Sequence, residues 1–548
     1  MKTTYDYIII GGGTAGCVLA NRLSANGRHD VLLLEAGGEP SSPWIPIPAG
    51  FSKLLVDTKF NWKFVSEPEA GTDGRAIAIP RGKGLGGSSL INGMIYVRGQ
   101  PGDFDKWAQS GASGWSFAEL VPYFRKVEAF DGPAGETRGG DGALGITEVG
   151  LRPPLADAFI AAAQQAGYGL NRDYNDGHQE GFGYYQATQR RGRRVSAKSA
   201  YLDPARGRRN LAIVTDAHVL KIDVEGRRAV GATFRRHGQT VSVRAGREVI
   251  LCAGGVQTPH ILELSGIGHP GLLKPLGIEV VQALPGVGEN YQDHFCTRMN
   301  WRVNRPITLN EQSRGLPLAR SVLQYFASGR GILSLGTGLA FGFVKTRPGL
   351  EDADVQLYFM HASYADASKR ILDRAPGMTI GVSQLRPESV GSIHARSADP
   401  LVPPAIRPNF LASQVDRDTM RRGMEIARHI VEQPALQSFV AHEMSPGPAC
   451  RTEGEWDAFS RSNGQTIYHV SGTAKMGTDP AAVVDPTLRV IGLAGLRVAD
   501  ASIMPAIVSG NTQAAVYVIA EKASDLILRD AETNTAGEAG GARGNRAA

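Results

Sequence analysis

The residues best placed to do chemistry near the start of the chain are three glycines and one carboxylate. Gly11-x-Gly13-x-x-Gly16 follows the apolar run Tyr7-Ile8-Ile9-Ile10 and opens onto Cys17-Val18-Leu19-Ala20-Asn21-Arg22-Leu23, which is apolar at a helical period. The first glycine permits a tight turn, the second lets phosphate oxygens reach the backbone, and the third lets helix and strand pack closely. Unpaired N–H groups and the positive end of the helix dipole then face the phosphates. Val31-Leu32-Leu33-Leu34 is a second buried strand that delivers Glu35. That carboxylate sits about 20 residues after the last glycine, where it accepts hydrogen bonds from a ribose 2′-OH. It would repel a 2′-phosphate, so NADP is disfavoured. Strand, glycine turn, helix, strand and acid form a βαβ unit on a parallel sheet, and the chemistry is dinucleotide binding. FAD and NAD stay open on this motif alone. No second fingerprint follows, because Gly286-Val287-Gly288 lacks the third glycine and the apolar helix, so one dinucleotide is implied.

Composition narrows the class around that unit. The 548 residues suit three or four ordinary domains or two large ones, with 42% apolar and 20% charged residues, as in globular proteins. The 68 glycines have no three-residue period, which excludes a collagen-like chain. Lys plus Arg is 59 against 53 for Asp plus Glu, a net charge of +6 that is weak for this length. The densest basic cluster, Arg190, Arg191, Arg193 and Arg194, then Arg206, Arg208 and Arg209, reads as a solvated or locally paired face rather than a nucleic-acid groove. The four cysteines, Cys17, Cys252, Cys296 and Cys450, are too scattered for a zinc or redox pair, and no metal site is expected. Met1-Lys2-Thr3-Thr4 leads straight into a strand without the parts of a signal peptide, and no apolar run reaches spanning length. A soluble, cytoplasmic protein is expected.

Further elements must position the rest of the site. Arg81-Gly82-Lys83-Gly84-Leu85-Gly86-Gly87-Ser88-Ser89 is a small-residue loop whose flanking Leu85, Leu90, Ile91 and Met94 keep it out of free solvent. Strands and turns fill Leu211 to Ala253, where Glu248-Val249-Ile250-Leu251-Cys252-Ala253 again runs an apolar strand into a glycine pair, Gly254-Gly255. From about Asn300 to Arg451 strands mix with amphipathic helices without glycine fingerprints, as in a second domain. Leu496-Arg497-Val498-Ala499-Asp500 is strand-like, a helix follows from about Asn511 to Arg529, and the composition beyond Asp530 predicts a disordered tail.

In this order the motifs resemble the FAD-dependent glucose–methanol–choline (GMC) oxidoreductases, from Tyr7 to about Leu528. The resemblance rests on the first fingerprint with Glu35-Ala36-Gly37, on Gly82 to Met94, and on Ala253-Gly254-Gly255-Val256-Gln257-Thr258-Pro259 running to Gly268. Val287 to His294, Tyr468-His469 with Gly472 to Gly477, and Val498 to Pro505 with Asn511-Thr512-Gln513 complete it. It implies an α/β fold, with a Rossmann-like FAD-binding domain and a second, α+β substrate-binding domain. The FAD-binding part would take 1–155, 206–299 and 456–530, the substrate part 156–205 and 300–455, and the tail 531–548.

The resemblance also implies roles. Gly11, Gly13, Thr14, Ala15 and Gly16 surround the pyrophosphate, Glu35 and Ala36 the adenosine ribose, and Val219 the adenine. Gly86, Gly87, Ser88, Asn92, Gly93 and Met94 line the flavin, and Asp500, Ala501 and Thr512 approach the cofactor. His469 is the base that takes the alcohol proton, and Asn511, also suited to a helix N-cap, holds the substrate oxygen. Three departures from the family pattern follow. Ile91 stands where some relatives attach FAD through histidine, so FAD is non-covalent. Leu339 stands where choline-specific relatives carry an acid, which disfavours choline. Val470 replaces the proline that commonly follows the histidine. The expectation is oxidation of an uncharged primary or secondary alcohol, with oxygen or a quinone-type acceptor and a homo-oligomer both open. A hydroxynitrile lyase that keeps FAD as structure, a choline dehydrogenase and a non-catalytic flavin-binding protein are the alternatives.

Overall fold

The computed structural model describes residues 2–133, 135–366 and 370–544, with side chains as far as Thr533. Its first sheet is seven-stranded, in the order Leu211–Val214, Val31–Leu34, Thr4–Ile10, Gln239–Leu251, Arg228–Arg236 and His218–Glu225, with Leu496–Val498 also paired to Gln239–Leu251. The centre is parallel: Tyr7 to Ile10 pair with Val31 to Leu34 on one side and with Glu248 to Leu251 on the other. Ile8, Ile9, Leu32, Leu33 and Ile250 have no exposed surface, as expected of strands covered on both faces and written almost wholly in Val, Ile and Leu. Two further strands, Arg228–Arg236 and His218–Glu225, extend the sheet antiparallel.

The first helix, Thr14–Ser24, packs beside the last helix, Gln513–Gly544. Arg22 makes a forked contact to the fully buried Glu521, 2.7 Å from Nη2 to Oε1 and 2.9 Å from Nε to Oε2. Beyond Asp530, where a disordered tail was expected, the last helix continues to Gly544. Residues 545–548 lie outside the described residues.

A second, antiparallel seven-stranded sheet runs Val440–Ser445, Phe295–Val303, Gly377–Gln384, Val355–Met360, Ala340–Val344 and Gly181–Tyr184, with Gln465–Thr466 paired to the start of Phe295–Val303. Every residue of Gly377–Gln384 is buried. The helix Gln414–Val431 covers one face of this sheet, and the other face borders the site described below. The α/β fold with a second α+β part is therefore present. The border drawn between 299 and 300 falls inside the strand Phe295–Val303, which passes from one part into the other without a linker.

The arginine cluster divides. Arg190, Arg191 and Arg193 are exposed, as read. Arg194 is buried: its Nε donates to the Ile45 carbonyl at 2.9 Å and its Nη1 to Asn92 Oδ1 at 2.6 Å, so it belongs to the interior and not to a solvated face. Among the described residues no helix is long and apolar enough to cross a membrane.

Candidate active site

One elongated cavity, about 2250 Å³ with its solvent-open mouth, runs from the glycine turn to the free face of the second sheet. Gly11, Gly13, Thr14, Ala15, Glu35, Ala36, Gly87, Ser88, Asn92, Gly93, Met94, Val219, Asp500, Ala501, Thr512, His469 and Asn511 all border it.

Gly16 and Gly86 do not. A Cβ on Gly16 would overlap the Gly11 carbonyl oxygen, so this glycine serves the close packing of helix on strand rather than a ligand. The Gly86 N–H is spent on the Gly12 carbonyl at 2.7 Å, which ties the small-residue loop to the first turn and leaves that donor unavailable to a flavin. Gly11 sits at φ +104°, open to glycine alone at low cost. The helix Thr14–Ser24 starts from Gly13 with no side-chain cap and no acid in its first turn, so the N–H groups bordering the cavity have no partner inside the helix.

Two buried carboxylates organise this end. Glu35 accepts from the N–H groups of Gly12 at 2.8 Å, Gly37 at 2.8 Å and Gly84 at 3.0 Å. Burial raises its pKa, and the three donors oppose that shift. A carboxylate offers about four acceptor positions, so one remains for a ribose hydroxyl. Asp500 is likewise held by protein donors: Oδ2 accepts from the Gly254 N–H at 2.8 Å and Thr258 Oγ1 at 2.6 Å, and Oδ1 from the Ser502 N–H at 2.8 Å. Its carboxylate therefore caps the helix Gly254–Leu264 and anchors the turn that brings Ala501 to the cavity.

At the other end stands His469. Its backbone N–H donates to Asp293 Oδ1 at 2.7 Å, and the preceding Tyr468 is held at φ +75°, a left-handed conformation that costs a tyrosine about 1–2 kcal/mol. Arg81 Nη2 donates to the Tyr468 carbonyl, and Thr466 Oγ1 accepts from the Tyr468 N–H at 2.7 Å, so several contacts hold the strained residue in place. The ring reaches His294 Nδ1 through its own Nδ1 at 2.8 Å and Asn511 Nδ2 through Nε2 at 3.1 Å. His294 Nε2 lies 3.0 Å from the Leu385 carbonyl oxygen and must donate to it. His294 Nδ1 is then the acceptor, His469 Nδ1 carries the hydrogen, and His469 Nε2 keeps its lone pair toward the cavity. Burial first, then His294 and the Arg81 guanidinium, push the His469 pKa well below that of an ordinary histidine. Burial pushes His294 down to about 4. The pair is neutral at physiological pH.

His294, Asp293 and Arg81 went unassigned in the sequence because their partners lie far along the chain. Asn92, assigned to the flavin, spends its amide on protein: Nδ2 donates to Gln513 Oε1 at 2.6 Å and Oδ1 accepts from Arg194. Where the two ends of the cavity meet, Asn511 Oδ1 and Gln513 Nε2 are buried with no hydrogen-bond partner among the described residues.

The floor beyond His469 is the face of the second sheet, presenting Cys296, Arg298, Tyr358, Met360, Thr379 and Gly381. Leu339, where an acid for choline was sought, is buried in the core and does not border the cavity; Thr337, two residues earlier, does. That position therefore cannot decide the charge of the substrate. The alternation of Cys296 and Arg298 with Phe295, Thr297 and Met299 was the available signal.

Comparison with known proteins agrees with this construction. The N-terminal and C-terminal parts of the GMC oxidoreductase family match residues 5–296 and 387–520. The chain is 42% identical to a mitochondrial choline dehydrogenase of Homo sapiens, over 96% of this chain and 90% of that one. It is 40% identical to an alcohol dehydrogenase (acceptor) of Pseudomonas putida, over 96% of each. The crystal structure of pyridoxine 4-oxidase from Mesorbium loti superposes with a TM-score of 0.87 at 31% identity, covering 95% of this chain and 98% of that one. A fingerprint on a parallel sheet, a cavity reaching a second sheet and a family match over both halves lead to one conclusion: the chain belongs to the GMC oxidoreductases, FAD-dependent enzymes that oxidise CH–OH groups.

Proposed function

We propose that this enzyme oxidises an alcohol without positive charge to its aldehyde or ketone, with His469 as the base and Asn511 as the group that holds the substrate oxygen. The observation that carries the reading is the fixed state of His469: a neutral imidazole whose Nε2 lone pair borders the cavity built around the dinucleotide fingerprint.

The residues present fit FAD. The uncapped first turn of Thr14–Ser24 and the backbone of Gly13, Thr14 and Ala15 suit the pyrophosphate, the remaining acceptor position of Glu35 suits a ribose hydroxyl, and Val219 borders the adenine end. The unpartnered Asn511 Oδ1 and Gln513 Nε2 supply polar contacts at the flavin and substrate end. FAD, when bound, supplies the acceptor for the hydride that leaves the carbinol carbon. Ile91 borders the cavity and offers no nucleophile for attachment, which supports non-covalent binding.

The chain's own residues handle the proton. The substrate O–H donates to His469 Nε2, and as the C–H bond is lost the proton passes to that nitrogen, leaving a carbonyl product and an imidazolium. The N–H of Asn511, which faces Nε2 at 3.1 Å, turns to the substrate oxygen and stabilises its developing negative charge. Buried surroundings make the imidazolium costly, which favours passing the proton on before the next turnover. Choline is the substrate in the name of the human relative. Here the only carboxylates bordering the cavity among the described residues, Glu35 and Asp500, lie at the dinucleotide end and are bound to backbone donors. A quaternary ammonium therefore finds no counter-charge on the sheet face.

The test is anaerobic mixing of the yellow holoprotein with a panel of alcohols. Bleaching by neutral alcohols and little by choline is expected. An absorbance unchanged by every alcohol would refute the proposal.

A further inference from the structure

The sheet face that floors the cavity carries a charge that alcohol oxidation itself does not require. Arg298 lies on Phe295–Val303 and pairs in register with Gly381, which pairs in turn with Tyr358. All three border the cavity, so one row across three strands presents a guanidinium, a gap and a phenol. The gap follows from Gly381, where an added Cβ would already press on Cys296 Sγ at 3.3 Å and touch Tyr358 Cβ at 3.4 Å. With the Gln465 amide turned so that its oxygen faces Arg298, that oxygen accepts from Nη2 at 2.7 Å and also from Nη1, and so holds the guanidinium between its two terminal nitrogens. Gln465 is neutral, and among the described residues no carboxylate lies within ion-pair distance of Arg298. Five N–H donors cannot be spent on one amide oxygen, so donors remain for a ligand. A second guanidinium, Arg370, also borders the cavity and donates to Tyr468 Oη at 3.0 Å. Among the described residues that border the cavity, no acid stands beside these two arginines at the substrate end, which makes it a place for negative charge.

We propose that Arg298 is the specificity residue of this site and that the natural substrate is an alcohol bearing a carboxylate, which the free edge of the Arg298 fork grips beside Gly381 while the hydroxyl end lies at His469. This rests on the alcohol-oxidation reading and names its substrate class. The planar fork matches a carboxylate through two parallel hydrogen bonds, which a lysine could not provide. The reaction balances as for any alcohol: the hydroxyl proton goes to His469, the hydride to FAD, and the carboxylate is unchanged.

The experiment uses the holoenzyme and matched substrates: a hydroxycarboxylate, its primary amide and the corresponding diol, with kcat/KM read through an artificial electron acceptor. Wild type is expected to prefer the acid to the amide by about tenfold to a hundredfold, the worth of a charge-assisted hydrogen bond. Arg298→Gln should erase that preference, lowering kcat/KM for the acid far more than for the diol, and Arg298→Lys should restore part of it. A wild type that favours the amide, or an Arg298→Gln variant that loses acid and diol equally, overturns the proposal. A second measurement reads the subsite without turnover: titration of the flavin absorbance with a non-oxidisable carboxylate such as butyrate. Saturable binding weakened at least tenfold in Arg298→Gln supports the subsite even if no alcohol bleaches the flavin, in which case it is alcohol oxidation that fails. Bleaching by neutral alcohols together with no butyrate binding sinks the subsite and leaves alcohol oxidation standing.

Discussion

His294 determines which nitrogen of His469 carries hydrogen. The two Nδ1 atoms are 2.8 Å apart, and the Leu385 carbonyl beyond can only accept, so the direction of both hydrogen bonds is forced. The base is thus set by a backbone carbonyl two steps away, and the nitrogen left with the lone pair is Nε2, which faces Asn511 and the cavity.

Removing the base tests its role directly. His469→Ala should lower kcat about 10²- to 10⁴-fold, the usual worth of a positioned general base, while the protein stays yellow. Stopped-flow reduction under anaerobic conditions measures the step. Normal reduction by the variant would mean that another group takes the proton.

Changing the neighbour separates positioning from catalysis. His294→Phe leaves the His469 Nδ1–H without an acceptor in a buried place, a loss of about 1–3 kcal/mol, so kcat/KM should fall about five- to 150-fold. His294→Gln keeps a carbonyl oxygen near that hydrogen and should recover most of the loss. Equal losses in both variants, with an unchanged pH profile, would show that His294 only fills space.

Acid sensitivity follows from the depressed histidines. Burial pushes His294 and His361 each down to about 4, against 6.5 for an ordinary histidine. Between those values the unfolded chain binds protons that the folded protein refuses, so stability falls as the pH drops from 6.5 toward 4. The slope is up to about 1.4 kcal/mol per pH unit for each imidazole, and these groups contribute nothing above pH 7. A Tm series from pH 8 to pH 4 should be flat and then decline, and His361→Met should make the decline shallower.

The dinucleotide end has its own test. Glu35→Ala leaves three N–H groups, of Gly12, Gly37 and Gly84, without their acceptor, at about 1–3 kcal/mol each where they stay buried. Lower Tm and loss of FAD on gel filtration are expected together. Glu35→Gln, which keeps one oxygen, should sit between wild type and Glu35→Ala on both measures.

The first fingerprint was legible because its demands are local: a left-handed turn at Gly11 and a close approach at Gly16 admit no other residue. Glu35 was legible as an acid near a ribose but not as a clasp, since Gly84 joins it from a loop far along the chain. Arg194 looked like surface among arginines, and only its contacts to Ile45 and Asn92 reveal it as interior. His469 came from resemblance, whereas its dependence on His294 is a meeting of distant segments that no spacing records. Arg298 could have been found by its alternation with apolar neighbours, had the strand not been cut at residue 300.

The contact between Asn92 and Gln513 has a consequence for synthesis. The loop near the start of the chain is pinned by the first turn of the final helix, and that helix is in turn clamped to Arg22 through Glu521. The loop that carries Asn92 is made long before Gln513, so until residue 513 has been added the cradle for the vitamin-derived ligand lacks this wall. A nascent chain halted shortly before residue 513 would have the strands of both sheets but not this grip.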